Sequence, residues 1–310
     1  MDDLWERSIC FYNIELQEIR EIFKEYDRNF EILDFTPINI GCRNSNYKVD
    51  TNKGSFLLRI CPINDTKYKK EQKISELFSE VLNVPKLLFV SGNNSKKRVC
   101  LIYDYIYGIS LQSLVLKAGK FGERIINQVA KSAAFIHSYD FEKSEEFNDN
   151  YPPFLTWYEL FLNNEWASAR LGSDIKNRVK QLILDKQNEL KLIDEYNSFI
   201  HADFRPANMI IDKDNDIWVV DWEFAGFGHS LADIGQFFRY SNCFEKSQIL
   251  KFREVYNSFA KKSLPSNWYE LSKLRDLVNP LQMLGGEEEL PEKYKDLKKL
   301  VIETLNYFGY

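Results

Sequence analysis

Apolar residues recur every three to four positions over residues 13 to 26, where Leu16, Ile19, Phe23 and Tyr26 fall on one stripe and predict a helix. The pattern then shortens. Ile32-Leu33-Asp34-Phe35, Tyr47-Lys48-Val49 and Ser55-Phe56-Leu57-Leu58-Arg59-Ile60 are short β-prone runs, and Thr51-Asn52-Lys53-Gly54 joins the last two as a hairpin turn. A helical stripe returns over residues 66 to 82 through Ile74, Leu77, Phe78, Val81 and Leu82. Two further strands, Val84 to Val90 and Arg98 to Tyr103, flank the turn Ser91-Gly92-Asn93-Asn94. The first third of the chain therefore reads as a five-stranded, mostly antiparallel sheet with one inserted helix.

Asp104-Tyr105-Ile106-Tyr107-Gly108 is a connecting segment, and from Leu111 the period is helical. Ile125, Val129, Ser132, Ala133 and Ile136 give residues 122 to 138 a small-residue face, with His137 read as a cap at the helix end. A polar connection over 140 to 153 ends in Pro152-Pro153, and helices are expected over 154 to 170 and 175 to 194. Ser198-Phe199-Ile200 brings the chain up from a core. Met209 to Ile211 and Ile217 to Val220 read as a hairpin about the polar turn Asp212-Lys213-Asp214-Asn215-Asp216. A helix over Ile234 to Tyr240 and a helical tail, with stripes at Phe252, Val255, Tyr256 and Phe259 and at Leu297, Leu300, Val301 and Leu305, complete the pattern.

The candidate chemistry sits beside that hairpin. His201-Ala202-Asp203-Phe204-Arg205-Pro206-Ala207-Asn208 precedes it and Asp221-Trp222-Glu223 follows it. A hairpin folds one end of a sequence back on the other, so it would return Asp221 toward Asp203 and Asn208. Two carboxylates and an amide suit phosphoryl transfer from a nucleotide, which needs Mg2+ against the phosphates, an oriented hydroxyl and a place for its proton. Asp221 and the Asn208 carbonyl oxygen fit the metal, because Mg2+ takes hard oxygen ligands. Asp203 fits the base. Arg59 ends an otherwise apolar strand on the face of Leu57 and needs a partner or a ligand there. Glu71 shares the helical face of Ile74 and Phe78 and is the evident partner for Arg59.

His-x-Asp-x-x-x-x-Asn, a hairpin and a metal-binding Asp together resemble the catalytic segment shared by protein kinases and aminoglycoside phosphotransferase-like kinases. Asp221-Trp222-Glu223-Phe224-Ala225-Gly226-Phe227-Gly228, with Leu231-Ala232-Asp233-Ile234 after it, resembles the aminoglycoside phosphotransferase family, to which choline kinases are similar. Protein kinases carry Asp-Phe-Gly at this point and an Ala-Pro-Glu element further on, and the latter has no counterpart here. The resemblance implies a two-lobed α+β protein kinase-like fold. Its small antiparallel nucleotide-binding lobe with one helix spans 1–106, and its larger, mainly helical catalytic and acceptor-binding lobe spans 107–310. It also implies that the Gly41-Cys42-Arg43-Asn44-Ser45-Asn46 turn lies over nucleotide phosphates, with Gly41, Asn44, Ser45 and Asn46 in contact, and that Arg59 touches phosphate. Backbone groups of Asp104, Tyr105 and Ile106 would bind the purine. Arg205 would either stabilise the moving phosphoryl group or brace the loop against Glu223, His201 would fix the loop, and Asp233 would bond its backbone. Trp157, Tyr158 and Trp166 are open between pocket wall and core.

Composition narrows the class. With 310 residues, 44% hydrophobic and 28% charged, the chain is long enough for two lobes with their own cores. A net charge of −5 argues against nucleic acid as a partner. Five dispersed cysteines argue for reduced thiols and a cytoplasmic chain rather than a zinc site. No apolar run reaches membrane-spanning length, and the acidic start Met1-Asp2-Asp3-Leu4 is unlike a signal peptide. A monomer or homodimer is expected, with Mg2+ and ATP or GTP as co-substrate. The acceptor is a small-molecule hydroxyl, with an aminoglycoside as first choice and choline, ethanolamine or another sugar or amino-alcohol as rivals. The Asn that choline kinases usually carry after their metal motif is missing, and Gly226-Phe227-Gly228 occupies that region. The three glutamates of Gly285-Gly286-Glu287-Glu288-Glu289 fit either a cationic acceptor or solvated surface. A non-catalytic kinase-like nucleotide-binding module is the alternative of a different class.

Overall fold

A computed structural model describes residues 5–39, 41–92, 98–140, 147 and 153–310. The acidic start, Asn93-Asn94 of the expected turn and most of the polar connection over 140 to 153 lie outside the described residues. In chain order the elements begin α1 (Leu16–Tyr26), β1 (Ile32–Ile38), β2 (Ser45–Thr51), β3 (Gly54–Ile60), α2 (Tyr68–Phe78), β4 (Leu87–Ser91), β5 (Cys100–Asp104) and β6 (Gly108–Ser110). Then follow α3 (Leu111–Ala118), α4 (Glu123–Ser138), α5 (Phe154–Leu162), α6 (Glu165–Leu171), α7 (Ser173–Asp185), α8 (Gln187–Ile193) and β7 (Asn197–Ile200). The chain ends with β8 (Met209–Asp212), β9 (Ile217–Val219), β10 (Gly226–His229), α9 (Ser230–Phe237), α10 (Lys246–Phe259), α11 (Trp268–Met283) and α12 (Pro291–Tyr307).

These elements form two compact units. The sheet unit holds Trp5–Ile109 and Ile210–Glu223. Its five strands run in the order β1-β2-β3-β5-β4, every neighbouring pair antiparallel. Pro37 cannot donate to a ladder, and it sits in β1, an edge strand. In β2, Tyr47, Val49 and Thr51 are buried in strict alternation. Ile19, Ile22 and Phe23 of α1 close one face of the sheet together with Phe30, Val49, Phe56 and Leu58. The inserted helix α2 buries Glu71, Ile74 and Phe78 on one stripe, as the sequence period requires. It stops at Phe78, short of the expected Leu82, because residues 79 to 82 turn toward Pro85. Residues 210–223, read from sequence as part of the catalytic lobe, group with this sheet. The Val219 N–H donates to the Asn83 carbonyl at 2.9 Å, and Trp222 meets Phe78 edge-on at 5.6 Å.

The helical unit holds Ser110–Met209 and Phe224–Tyr310. Its core is aromatic, with Phe237, Phe238, Phe244, Phe252 and Trp268 packed ring to ring at 4.6 to 6.0 Å. Helix α9 lies close on α11, and a side chain at Gly235 would run into the Ser272 carbonyl, so only glycine allows that approach. Two sequence expectations change here. The helix expected over 154 to 170 is broken at Asn163-Asn164, where the Asn164 side chain accepts the Ala167 N–H at 3.0 Å and starts α6 anew. The helix expected over 175 to 194 is likewise divided at Lys186 into α7 and α8. Gly226-Phe227-Gly228, which carries no strand signal in the sequence, forms β10, paired antiparallel with β7 from Gly226↔Ile200 to His229↔Asn197. Of the candidate pocket aromatics, Tyr158 is core, its hydroxyl donating to the Leu274 carbonyl, whereas Trp166 is exposed. No helix among the described residues is long and apolar enough to cross a membrane.

Candidate functional site

In the sheet unit, polar groups converge on the inner end of β3. Arg59 is buried, and its Nη1 donates to Glu71 Oε1 at 2.5 Å and to Asp221 Oδ1 at 2.9 Å. The other Glu71 oxygen accepts the Tyr103 hydroxyl at 2.5 Å. The expected Arg59–Glu71 pair is thus present, with a tyrosine from β5 completing it. Burial raises the Glu71 pKa despite the adjacent guanidinium, so the carboxylate depends on both donors. Arg59 Nε is buried and has no hydrogen-bond partner among the described residues, an unfilled donor on a fixed cation. Glu223 joins the group. It accepts the Asn44 amide at 3.3 Å and lies 3.6 Å from Arg43 Nε, and burial followed by the charge of Asp221 pushes its pKa up to about 7. Register places Asn46 directly across from Arg59. The Oδ1 atoms of Asn44 and Asn46 are buried acceptors without partners among the described residues.

The turn at Gly41 needs glycine, since its φ of +99° is a conformation that side chains rarely adopt. Asn44 and Ser45 are buried at the mouth of β2, so Gly41, Asn44, Ser45 and Asn46 follow one another along the loop and into the strand. In the connecting segment, the Asp104 N–H is already spent on the Lys86 carbonyl at 3.3 Å. Any base-binding role here falls to the Asp104 carbonyl and to the backbones of Tyr105 and Ile106.

In the helical unit, the loop after β7 carries the remaining predicted residues. Arg205 forks onto Asp203, with Nε 2.7 Å from Oδ1 and Nη2 donating to Oδ2 at 3.2 Å. Asn208 Nδ2 donates to Asp203 Oδ2 at 2.7 Å and to the Asp203 carbonyl at 2.9 Å. With its donor end committed to Asp203, Asn208 has its carbonyl end left for other ligands. Asp233, fully buried, accepts the His201 N–H on Oδ2 and the Ala202 N–H on Oδ1, each at 2.8 Å. The Asp203 N–H donates to His201 Nδ1 at 3.2 Å, so the His201 side chain fixes the loop. Ala202 has a φ of +64° and Asp221 a φ of +69°, so both halves of the motif hold a non-glycine residue in left-handed backbone.

Sequence reasoning missed several members of the site. Tyr103 looked like strand filler. Glu223 was weighed only as a brace for Arg205, yet its partners include Asn44 and Arg43. His137 was read as a helix cap, but its ring lies 3.2 Å from Asp233. A polar side chain on an otherwise apolar face is the one signal that could have flagged these residues, and it does not name the partner. For Mg2+, which the kinase resemblance implies, the donors fit. Asp221 offers a carboxylate and Asn208 the carbonyl end of its amide, both hard oxygen ligands; Glu71 and Glu223 each have an oxygen within 4.8 Å of Asp221, but both Glu71 oxygens are committed to Arg59 and Tyr103.

The phosphotransferase enzyme family model matches residues 34–265. No curated protein matches the chain. Among solved structures, aminoglycoside phosphotransferase APH(4)-Ia is similar over 96% of this chain and 100% of that one, at 18% identity and a TM-score of 0.69. A putative aminoglycoside phosphotransferase from Ralstonia eutropha JMP134 covers 95% of this chain and 98% of its own, at 13% identity and a TM-score of 0.66. Choline kinase LicA from Streptococcus pneumoniae covers 94% and 99%, at 14% identity and a TM-score of 0.65. The fold is the protein kinase-like α+β fold of these enzymes, and the chain belongs to the phosphotransferase enzyme family.

Proposed function

We propose that the protein is a small-molecule kinase that moves the γ-phosphoryl group of ATP or GTP to a hydroxyl of its acceptor. The observation that carries this reading is the buried Arg59–Glu71–Asp221 network, in which a fixed cation with an unfilled Nε donor sits beside a carboxylate of metal-binding type. Arg59 holds phosphate, Glu71 orients Arg59, and the Gly41, Asn44, Ser45 and Asn46 segment contacts the phosphate chain. The Asp104 carbonyl, Tyr105 and Ile106 receive the base. Asn208 and Asp221 would hold Mg2+, which would supply neutralising charge at the phosphates. Asp203 accepts the acceptor's hydroxyl proton as its oxygen bonds to the γ-phosphorus and the bond from that phosphorus to the β–γ bridging oxygen breaks, leaving ADP or GDP and a phosphate ester. Arg205 keeps the Asp203 carboxylate oriented. An enzyme of this kind works in the cytoplasm, where nucleotide is plentiful.

The acceptor follows the relatives. APH(4)-Ia has been solved with AMP-PNP and hygromycin B bound, so an aminoglycoside-like polyol is the first candidate. LicA, named a choline kinase, keeps amino-alcohols as the second. A panel of aminoglycosides, choline, ethanolamine and sugars, read by acceptor-dependent ADP or GDP release in Mg2+, tests the proposal. Release with one acceptor and none without it supports it. Mg2+-dependent nucleotide binding with no phosphorylated product from any acceptor identifies a binding module instead.

A further inference from the structure

The segment ahead of α1 lies outside the family match, which begins at residue 34, yet it is bonded to residues 41–45 through Arg7, Ser8, Ile9 and Tyr12. Arg7 Nη1 donates to the Gly41 carbonyl at 2.5 Å, and its Nη2 donates to the Asn44 carbonyl at 2.7 Å. Between them, the Cys42 carbonyl accepts the N–H groups of Ser8 and Ile9 at 3.0 and 3.2 Å and the Ser8 hydroxyl at 3.1 Å. The Tyr12 N–H donates to Ser45 Oγ at 2.8 Å. The segment is itself anchored. Arg7 Nε donates back to the Ile9 carbonyl at 3.1 Å, the Arg7 guanidinium lies 5.2 Å from the Phe11 ring centre, and Phe11 packs on Tyr47 of β2 at 5.3 Å.

In a trans peptide the carbonyl of one residue and the N–H of the next point in opposite directions. Donors that draw the Gly41 and Cys42 carbonyls toward residues 7–9 therefore turn the Cys42 and Arg43 N–H groups to the other side. Successive N–H groups turned the same way make a concave cradle for an anion. Without the brace, either peptide could flip and present a carbonyl to a phosphate, which repels it. A guanidinium suits this task, since its planar fork reaches two carbonyls at once and an ammonium on a flexible stem does not.

We propose that residues 7–12 form a brace that sets the Gly41–Asn44 loop in its phosphate-receiving conformation, with Arg7 as its positioning residue. This deepens the proposed function and rests on its reading of that loop as the phosphate contact. The test uses the full chain and two variants, Arg7→Met, which keeps the apolar stem over Phe11 and removes the donors, and Arg7→Lys. Mg-ATP and Mg-GTP affinity is measured by titration, and amide hydrogen exchange is followed at residues 8–9 and 42–44.

Arg7→Met is expected to weaken nucleotide binding about tenfold and to speed exchange at Ser8 and Ile9, with Arg7→Lys intermediate and acceptor KM unchanged. A fall in thermal stability with unchanged nucleotide affinity would reduce Arg7 to a packing residue and overturn the brace. A parent protein that binds neither nucleotide would sink the kinase reading itself, and the brace with it. Parent binding that Arg7→Met retains in full would sink the brace alone.

Discussion

His137, at the end of α4, directs its Nε2 at Asp233 Oδ2 from 3.2 Å, and Asp233 in turn holds the backbone of His201 and Ala202. A carboxylate only accepts, so Nε2 carries the proton. The Tyr256 hydroxyl, 3.0 Å from Nδ1, bonds the other ring nitrogen and holds the imidazole in place. Three helices thus determine one loop conformation through a tyrosine, an imidazole and a carboxylate.

Replacing His137 with Leu takes a donor from a fully buried carboxylate, at a cost of roughly 1–3 kcal/mol. The melting temperature is expected to fall by several degrees, and kcat with it by about tenfold, because the Asp203 loop loosens. His137→Gln offers an N–H at the place of Nε2 and should recover most of both. If Leu and Gln behave alike, the bond to Asp233 is idle.

Ala202, the residue after His201, holds left-handed backbone with a φ of +64°, a conformation that glycine adopts more readily than alanine. Alanine in that conformation costs about 1–2 kcal/mol, while glycine gives up roughly 0.5–1 kcal/mol in chain entropy. Ala202→Gly should therefore stabilise the protein by about 0.5–1 kcal/mol, seen as a raised denaturation midpoint at unchanged m-value. A lowered midpoint would show that the surrounding bonds have relaxed the strain.

The parts legible in the sequence were those carried by period and by local motif. Alternation gave the sheet of residues 32 to 104, the α2 stripe brought Glu71 to the face of Phe78, and the spacing from His201 to Asn208 set the loop. What stayed hidden depended on partners distant in sequence. Gly226-Phe227-Gly228 has no side-chain alternation to mark a strand, and only pairing with Ser198-Phe199-Ile200 makes it β10. The break at Asn163-Asn164 is a capping event inside an unbroken helical period. Tyr103, His137 and Arg7 are ordinary residues in their own segments, and each takes its role from a group at least 30 positions away.

His229 gives the fold an acid limit. It is buried between Asp194, 3.1 Å from Nε2, and Arg275, whose Nε donates to Nδ1 at 3.1 Å. Burial, then the charge of Arg275, lowers its pKa to about 4. The unfolded value is near 6.5, so the unfolded chain binds the proton more readily. This contribution is fully present above about pH 6.5 and is lost as pH falls toward 4, amounting to about 3 kcal/mol at most. His229→Gln should flatten the stability profile between those values in urea titrations. A profile as steep as the parent's would assign the acid loss to other groups.

Asp203 and Asp221 should fail in different ways. Asp203→Ala removes the proposed base and leaves the Arg59 network whole, so nucleotide affinity should stay near that of the parent while turnover drops by roughly 10²–10⁴. Asp221 is best replaced by Asn, which tolerates the left-handed backbone at a φ of +69° and so avoids adding strain. That change takes one of two carboxylates from Arg59 Nη1 and the anionic ligand from the proposed Mg2+ site. Nucleotide binding in Mg2+ should weaken steeply, while the smaller affinity measured in EDTA changes little or rises, since the site then holds one negative charge fewer against the phosphates. The assignment turns on this crossed pattern. Equal loss of Mg2+-dependent binding in both variants would mean that Asp203 also holds the ion, and Asp221→Asn turning over at the parent's rate would remove Asp221 from the metal.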